Sequence, residues 1–540
     1  RRAAAITFGA FFTYAAVGLW AESMETFALM IVAVGISLLV GIPRGTAAGR
    51  SPRFNRIVSP ALDAAQIVPA FAYLMPVVLL FSIGYAAAVV TTMVYAIPPA
   101  VRITALGIRS VPTNSVEAAS SLGATGGQTL VKVQLPLARR LLLLGVNQTI
   151  LFALSMVVIA GLIGGGGLGA VVNSGLFSNP SLAILAGFVI VVMAIALDRT
   201  TEAVADRLDQ TKHDHDEKRS RGLALAFVAA GVAAVVIAKA LGAAAVYPLE
   251  TAAGRTVSLQ PWLIGKIDAF LAFVQDPTKF VFKITEPIGT FILTDLLQPI
   301  QRFLMEGPWL TTLVGLTLIA FIISGLRPAI TAFLMLYLIG FLGQSSETPV
   351  WSLAMDTLSQ VLVATFIAVV IGILLGIAAA ESKRVSRFLR PVNDILQTLP
   401  QLVYIVPFIY LMPVSIVPGI VAGVLYAFPV VVRLVERGLD DVAPDSIEAA
   451  GAFGATRMQI LRKVKIPLAG DAIMLGVNQG IVMVLAVVVI GGLVGSGALG
   501  YEVATGFQRN QFGQGVVASI AILALGIALD RATRGRRRAR

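Results

Sequence analysis

The chain has 540 residues, 57% of them hydrophobic and 13% charged, with 41 Lys and Arg against 29 Asp and Glu for a net charge of +12. Soluble domains carry roughly a quarter charged residues, so this composition excludes a soluble globular protein and points to the membrane. There is no cysteine, which excludes disulfides, thiol catalysis and Cys-bound metal.

Read in order, apolar runs long enough to cross a hydrocarbon core roughly 30 Å thick recur along the whole sequence. The first part carries predicted spans near 3–20, 25–48, 60–82, 86–107, 141–163 and 181–198. The chain opens at Arg1 with neither an initiator methionine nor a signal-peptide pattern, so a further N-terminal segment is expected. Residues 199–221 are polar and charged and read as a cytoplasmic linker, in which His213 and His215 are solvated rather than metal ligands. A span near 222–247 follows. Residues 248–306 then hold amphipathic pieces, Trp262 to Val274 and Ile288 to Phe303, that suit an interfacial scaffold at the outer mouth. Further spans lie near 309–325, 329–343, 353–380, 392–413, 416–437, 468–494 and 513–530. The expectation is an all-α polytopic membrane protein of about 14 helices (6 + 8) with both termini cytoplasmic. Laid out alternately, these spans put 34 of the 41 Lys and Arg on one face, which the positive-inside rule makes cytoplasmic. Topology therefore accounts for the basic charge, and nucleic acid is not needed to explain it.

The sequence also repeats itself. Shifted by 331 positions, Trp20 falls on Trp351, Gly41 and Gly45 on Gly372 and Gly376, and Asp63 on Asp394. Pro98 and Arg102 fall on Pro429 and Arg433. Residues 117–136 and 448–467 share 11 of 20 positions without a gap. The chain is a tandem duplication, read as a first copy at 1–203, a linker at 204–221, an extra span with its outer scaffold at 222–308, and a second copy at 309–540. Copies with even numbers of spans share one orientation, related by an axis along the membrane normal.

The most specific motif lies on the cytoplasmic side of each copy. EAASSLGATGGQTLVKVQLP (117–136) and EAAGAFGATRMQILRKVKIP (448–467) both carry Glu-Ala-Ala, a glycine six residues after the Glu and a proline nineteen after it. Glu117 and Glu448 open a short surface helix where its dipole favours a carboxylate. Ala118, Ala119, Ala449 and Ala450 let another backbone approach, Gly123 and Gly454 end the helix, and Pro136 and Pro467 start the next span. This pattern resembles the EAA loop of ABC importer permeases. Stretches such as QIVPAFAYLMPVVLLFSIG (66–84), KVQLPLARRLLLLGVNQTILFALSMVVIAGLIGGGGLG (132–169), ALDRTTEA (196–203) and LQTLPQLVYIVPFIYLMPVSIVPGIVAGVLYAFPVVVRL (396–434) are similar to the glycine betaine/proline (osmoprotectant) permeases of that superfamily.

The resemblance implies a type I ABC importer transmembrane domain, duplicated in one chain, in the cytoplasmic (inner) membrane. It further implies two cytoplasmic ATPase subunits carrying ATP and Mg, an extracytoplasmic substrate-binding protein, and a compatible solute such as glycine betaine, proline betaine or choline as cargo. An ABC permease for another small solute (an amino acid, taurine or a phosphonate), an ATP-independent carrier and a membrane-embedded enzyme are the alternatives. The sequence departs from the usual pattern in fusing both copies and in placing Ala486-Val487 where the first copy has Ser155-Met156.

A quaternary ammonium cannot be hydrogen-bonded and is held by aromatic faces. Phe71, Tyr73, Tyr404 and Tyr410 are candidates for lining the route, with helix packing as the alternative role. Pro69, Pro76, Pro400 and Pro407 are candidates for bending it. Asn147-Gln148 and Asn478-Gln479 read as interhelical amides, with substrate contact as the alternative role. No Gly-x4-Gly-Lys-Ser/Thr occurs, so ATP hydrolysis is not expected of this chain. The GGGGLG run at 164–169, matched by GSGALG at 495–500, reads as a close-packed bend, and no cluster suited to catalysis or metal binding is present.

Overall fold

The computed structural model describes residues 2–209, 258–345, 348–412 and 416–534, with four isolated positions between 233 and 240. The predicted span near 222–247 and both linker histidines lie outside the described residues. Helices dominate because a segment in hydrocarbon must satisfy every backbone N–H and C=O within itself.

In the first copy, α1 (Arg2–Ala16) and the long α2 (Trp20–Arg50) are followed by α3 (Pro52–Ile67), a short 3-10 turn and α4 (Leu74–Phe81). Then come α5 (Tyr85–Arg109), two loop helices α6 (Thr113–Ser121) and α7 (Gly126–Thr129), α8 (Leu135–Ala160), α9 (Gly167–Ser178) and α10 (Pro180–Asp209). Between the copies lie α11 (Gln260–Gln275), α12 (Phe280–Phe291) and α13 (Gln298–Glu306). The second copy adds α14 (Trp309–Ser324) and α15 (Leu326–Phe341), then α16 (Val350–Glu381), α17 (Lys383–Thr398), α18 (Gln401–Leu411) and α19 (Val417–Asp440). Loop helices α20 (Pro444–Ala452) and α21 (Arg457–Ile460) lead to α22 (Gly470–Gly491), α23 (Ala498–Gln508) and α24 (Phe512–Thr533).

Eight described helices are long and apolar enough to span, or eleven if three sharply bent pairs are each counted as one span. The predicted spans near 60–82 and 392–413 are not straight. They bend by 108° between α3 and the 3-10 turn and by 103° between α17 and α18. Val68 (ψ 124°) and Leu399 (ψ 132°) are extended at these corners, as residues preceding proline are driven to be. The basic first arm, with Arg53 and Arg56 or Lys383 to Arg390, is a surface helix, and the apolar second arm turns into the bundle.

Small residues set the helix spacing within each copy. A Cβ on Gly41 would lie 2.5 Å from Ala100 Cβ, and one on Gly45 would lie 2.6 Å from Thr104 Cβ, so α2 and α5 touch along a Gly-x3-Gly face. Gly372 and Gly376 repeat this against Val431 and Val435, joining α16 to α19. The copies interlock. The 3-10 turn and α4 of the first pack on α24 of the second, and α18 of the second packs on α10 and α8 of the first. Met75 rests on a floor formed by Gly506 and Gly515, and one continuous buried core runs through both copies. The inserted helices are tied to the outer ends: Leu259 N–H donates to Ala16 C=O at 2.6 Å, Ser181 Oγ–H to Asp268, and Gln301 Nε2–H to Asp356 at 2.9 Å.

Candidate functional site: two cytoplasmic loops and the cavity between the copies

Each loop is a helix, a left-handed glycine, and a second capped helix. In the first, Ala124 N–H donates to Ala119 C=O at 3.0 Å and Gly123 N–H to Ser120 C=O at 2.9 Å, with Gly123 at φ +79°. This is the Schellman termination, in which only glycine sits without strain. The second loop repeats it, with Ala455 donating to Ala450 at 3.1 Å, Gly454 to Gly451 at 2.9 Å, and Gly454 at φ +78°. The next helix then opens with a reciprocal capping box, Thr125 with Gln128 and Thr456 with Gln459. A π-helical turn follows each, and Pro136 and Pro467 stand where ordinary helix resumes. Glu117, Ala118, Gly123, Glu448, Ala449 and Gly454 are exposed, and Ala119 and Ala450 are half-buried.

Between helix and glycine the two loops present Leu122, 88% exposed, and Phe453, 93% exposed. These positions are 331 apart. Both side chains stand clear of the buried core, at the same place in each loop. They were absent from the expected site because residue type differs between copies. Only their shared position ahead of the glycine signals them.

Beneath this common backbone the anchoring differs. Glu381, at the end of α16, accepts Arg457 Nε–H at 2.8 Å and Lys465 Nζ–H at 2.7 Å, and its backbone carbonyl accepts Arg457 Nη2–H at 2.7 Å. The corresponding residues of the first copy are Arg50, Gly126 and Gln134.

A cavity of about 1150 Å³ lies between the copies, walled by α5, α8, α10, α17, α19 and α22. Along α8 it runs from Arg140 to Ser155, fifteen residues or about 22 Å of helix. Arg140, Asp198, Arg199, Glu202, Asp394 and Arg433 ring the cytoplasmic end. Their charges balance, three against three, and two pairs are joined directly, Arg433 with Asp394 and Arg199 with Glu202 at 2.7 Å. The inner end is made of Tyr95, Phe152, Ser155, Tyr426 and Met483.

None of the aromatic and proline route candidates is among those lining this cavity, whereas Asn147 and Gln148 are. Phe71 is fully buried and Tyr404 4% exposed, both in the interlocking core with Pro69, Pro76, Pro400 and Pro407 on the broken segments around them. Tyr73 donates to Ala65 C=O at 2.6 Å, Tyr404 to Leu396 C=O, and Tyr410 to Leu176 C=O at 3.5 Å, the last across the two copies. Asn147 donates to Asp198 at 3.0 Å and accepts from Thr201, while Asn478 donates to Thr533 at 2.8 Å and Asp530 C=O at 3.1 Å, joining the penultimate and last long helices of each copy. The glycine runs do bend the chain, and each then starts a further short helix, α9 or α23. Thr26 Oγ1 accepts from Leu168 N–H at 2.8 Å and Thr357 Oγ1 from Leu499 N–H at 3.1 Å. Among the described residues no His, Cys, Asp and Glu group could hold a metal ion.

The family model described as "Binding-protein-dependent transport system inner membrane component" matches the chain twice, at residues 33–212 and 368–534. A trimethylamine N-oxide transport system permease protein of Ruegeria pomeroyi is 31% identical over 541 residues, covering 98% of this chain and 78% of that protein. Its counterpart in Pelagibacter ubique is 32% identical, covering 95% and 71%. A glycine betaine/proline betaine transport system permease protein of Salmonella typhimurium is 50% identical over 190 residues, covering 35% of this chain and 54% of that protein.

Proposed function

Because the chain belongs to the family of binding-protein-dependent transport system inner membrane components, we propose that it supplies both halves of the channel of an ATP-driven importer for small N-methylated solutes, the betaines and trimethylamine N-oxide. The observation that carries this reading is that each copy presents the same cytoplasmic loop while the two copies share one cavity between them. We read 1–203 and 309–540 as the permease copies, which the matched regions 33–212 and 368–534 largely overlap, and 222–308 as an extra span with an outer scaffold.

Two cytoplasmic ATPase subunits, which carry the ATP and Mg, dock one on each loop. The Glu-Ala-Ala helix lies against the ATPase surface, and Leu122 or Phe453 enters a cleft in it. Burying such a side chain stabilises the contact by about 1.5–3 kcal/mol. Closure of the ATPases draws the loops together, and the π turns and long helices carry that displacement into the bundle. An extracytoplasmic binding protein delivers cargo to the outer face once the pathway opens outward. Each partner shifts the inward–outward equilibrium only by binding one state better than the other. The betaines and trimethylamine N-oxide carry no net charge, which agrees with the balanced ring at the cavity mouth.

The test is reconstitution of the complete importer in proteoliposomes with the double variant Leu122→Asp, Phe453→Asp. The expected result is normal insertion, loss of co-purifying ATPase, and solute uptake reduced at least about tenfold, since each site loses an apolar anchor. Full-rate uptake by this chain with no ATPase bound would overturn the proposal.

A further inference from the structure

The inner end of the cavity differs from its mouth. Charged groups line the first part of the wall. Beyond them, Tyr95 and Phe152 stand with ring centroids 5.2 Å apart at 35°, and Tyr426 completes the aromatic group. Tyr95 and Tyr426 are related by the 331-residue repeat, so they face the pathway from opposite copies, and Met483 takes the place of Phe152 in the second. Tyr426 is held from behind: Tyr404 packs edge-on at 5.5 Å, and Gln401 Nε2–H donates to its hydroxyl at 3.2 Å. Gln401 is 2% exposed, and its carbonyl oxygen has no hydrogen-bond partner among the described residues. The first copy has Ala70 at this position, so the buried acceptor occurs on one side only.

We infer that Tyr95, Phe152 and Tyr426 form a transient binding site within the membrane channel for a methylated ammonium group. Methylated nitrogen offers no N–H to a carboxylate but is attracted to the faces of aromatic rings. A ring group without an ionised partner suits a site that must release its cargo, because it holds the cation without the strong attraction of a buried charge. Ser155, beside Phe152, offers a hydroxyl to the polar end of the cargo, and Ala486 in the second copy offers none. The cargo therefore binds in one orientation, with the first copy supplying the hydrogen bond. This inference rests on reading the cavity as the route for N-methylated solutes.

The absence of cysteine from this chain gives a direct assay, since Leu151→Cys, next to Phe152 in the cavity lining, places a single thiol in the wall. In the complete importer, labelling of that thiol by a membrane-permeant maleimide is followed with choline or its uncharged carbon isostere, 3,3-dimethylbutan-1-ol. Choline is expected to slow labelling and the isostere to leave it unchanged. With one ring removed, Tyr426→Leu raises the choline concentration for half-protection roughly fivefold, whereas Tyr426→Phe, which keeps the face, stays near the parent. Tyr95→Leu provides the same comparison should Tyr426→Leu fail to assemble. Equal protection by both compounds, or equal behaviour of the Leu and Phe variants, overturns the site. Absence of ATP-driven uptake of betaines and trimethylamine N-oxide by the unmodified importer would refute the cargo assignment instead, and the choline protection would still decide the site.

Discussion

The two cytoplasmic loops share a backbone and differ in what holds it. Both end their first helix on a glycine near φ +79°, both reopen with a Thr–Gln capping box, and both expose a large apolar residue at the turn. In the second copy the loop is also clamped to α16 through Glu381, whose side chain is 19% exposed and bridges Arg457 and Lys465. In the first, Arg50 lies near a glycine, and the Gln134 amide oxygen is buried without a partner among the described residues. Duplication has thus kept the part that faces outward, toward an ATPase in our reading, while the part that faces the bundle has diverged. The added clamp should make the second loop the stiffer connection between its tip and the bundle.

The common part should fail first and equally. A Cβ at Gly123 or Gly454 would meet nothing within 4 Å, so no clash opposes substitution there. The cost lies in the backbone, where a β-branched residue at positive φ is disfavoured by about 1–2 kcal/mol or more. Gly123→Val and Gly454→Val should each insert normally yet lower uptake and its stimulation of ATPase activity by about tenfold, because each loses the Schellman turn that aims Leu122 or Phe453. Uptake measured on the two single variants checks this. Normal transport by the double variant would remove the docking role from both loops.

Glu381→Gln tests the divergent part. The two pairs are partly buried, so losing the carboxylate should cost about 1–2 kcal/mol of local stability, less than a fully buried pair and more than an exposed one. Amide hydrogen exchange across 456–465 should speed up about five- to thirtyfold, since 1.4 kcal/mol is a factor of ten, while 125–134 stays unchanged. High salt should narrow the difference between the parent loops, as Arg457 is 78% exposed and readily screened. Equal acceleration in both loops would show that the clamp is not what separates them.

How far the sequence announced these features follows from the physics of each. Spans were legible because hydrocarbon demands long apolar runs, and the duplication because motifs coincide at one offset. The corners at Val68 and Leu399 were partly legible: Pro69 and Pro400 were identified as bending candidates, but the apolar run from Ile67 to Phe81 shows no break in hydropathy, so a straight span was expected. The short helices α9 and α23, 12 and 11 residues long, were not legible because each starts inside a glycine run and is held by Thr26 or Thr357 from a distant helix. The cavity aromatics were hidden for a similar reason. Tyr95, Phe152 and Tyr426 lie in ordinary apolar spans, and only the packing of six helices from both copies brings them to one surface. Phe71 and Tyr404, in the more conspicuous proline segments, are instead used to interlock the copies.

The smallest effect concerns the capping boxes and depends on the clamp. Thr125 Oγ1 accepts from Gln128 N–H at 3.3 Å and Thr456 Oγ1 from Gln459 N–H at 3.4 Å, both long, so each contributes at the low end of the usual range, about 0.5 kcal/mol. Thr125→Ala removes a restraint from a loop with no ionic clamp beneath it among the described residues. Thr456→Ala removes the same restraint from a helix whose first residue, Arg457, is still held to Glu381 by two hydrogen bonds. Exchange at Gln128 and Thr129 should therefore rise about twofold in Thr125→Ala, against little change at Gln459 and Ile460 in Thr456→Ala. Combining Thr456→Ala with Glu381→Gln should restore the sensitivity of the second loop, because coupled restraints are not additive. Additive behaviour in that double variant would mean that cap and clamp act on separate parts of the loop, and the difference in stiffness would then have to arise elsewhere in the bundle.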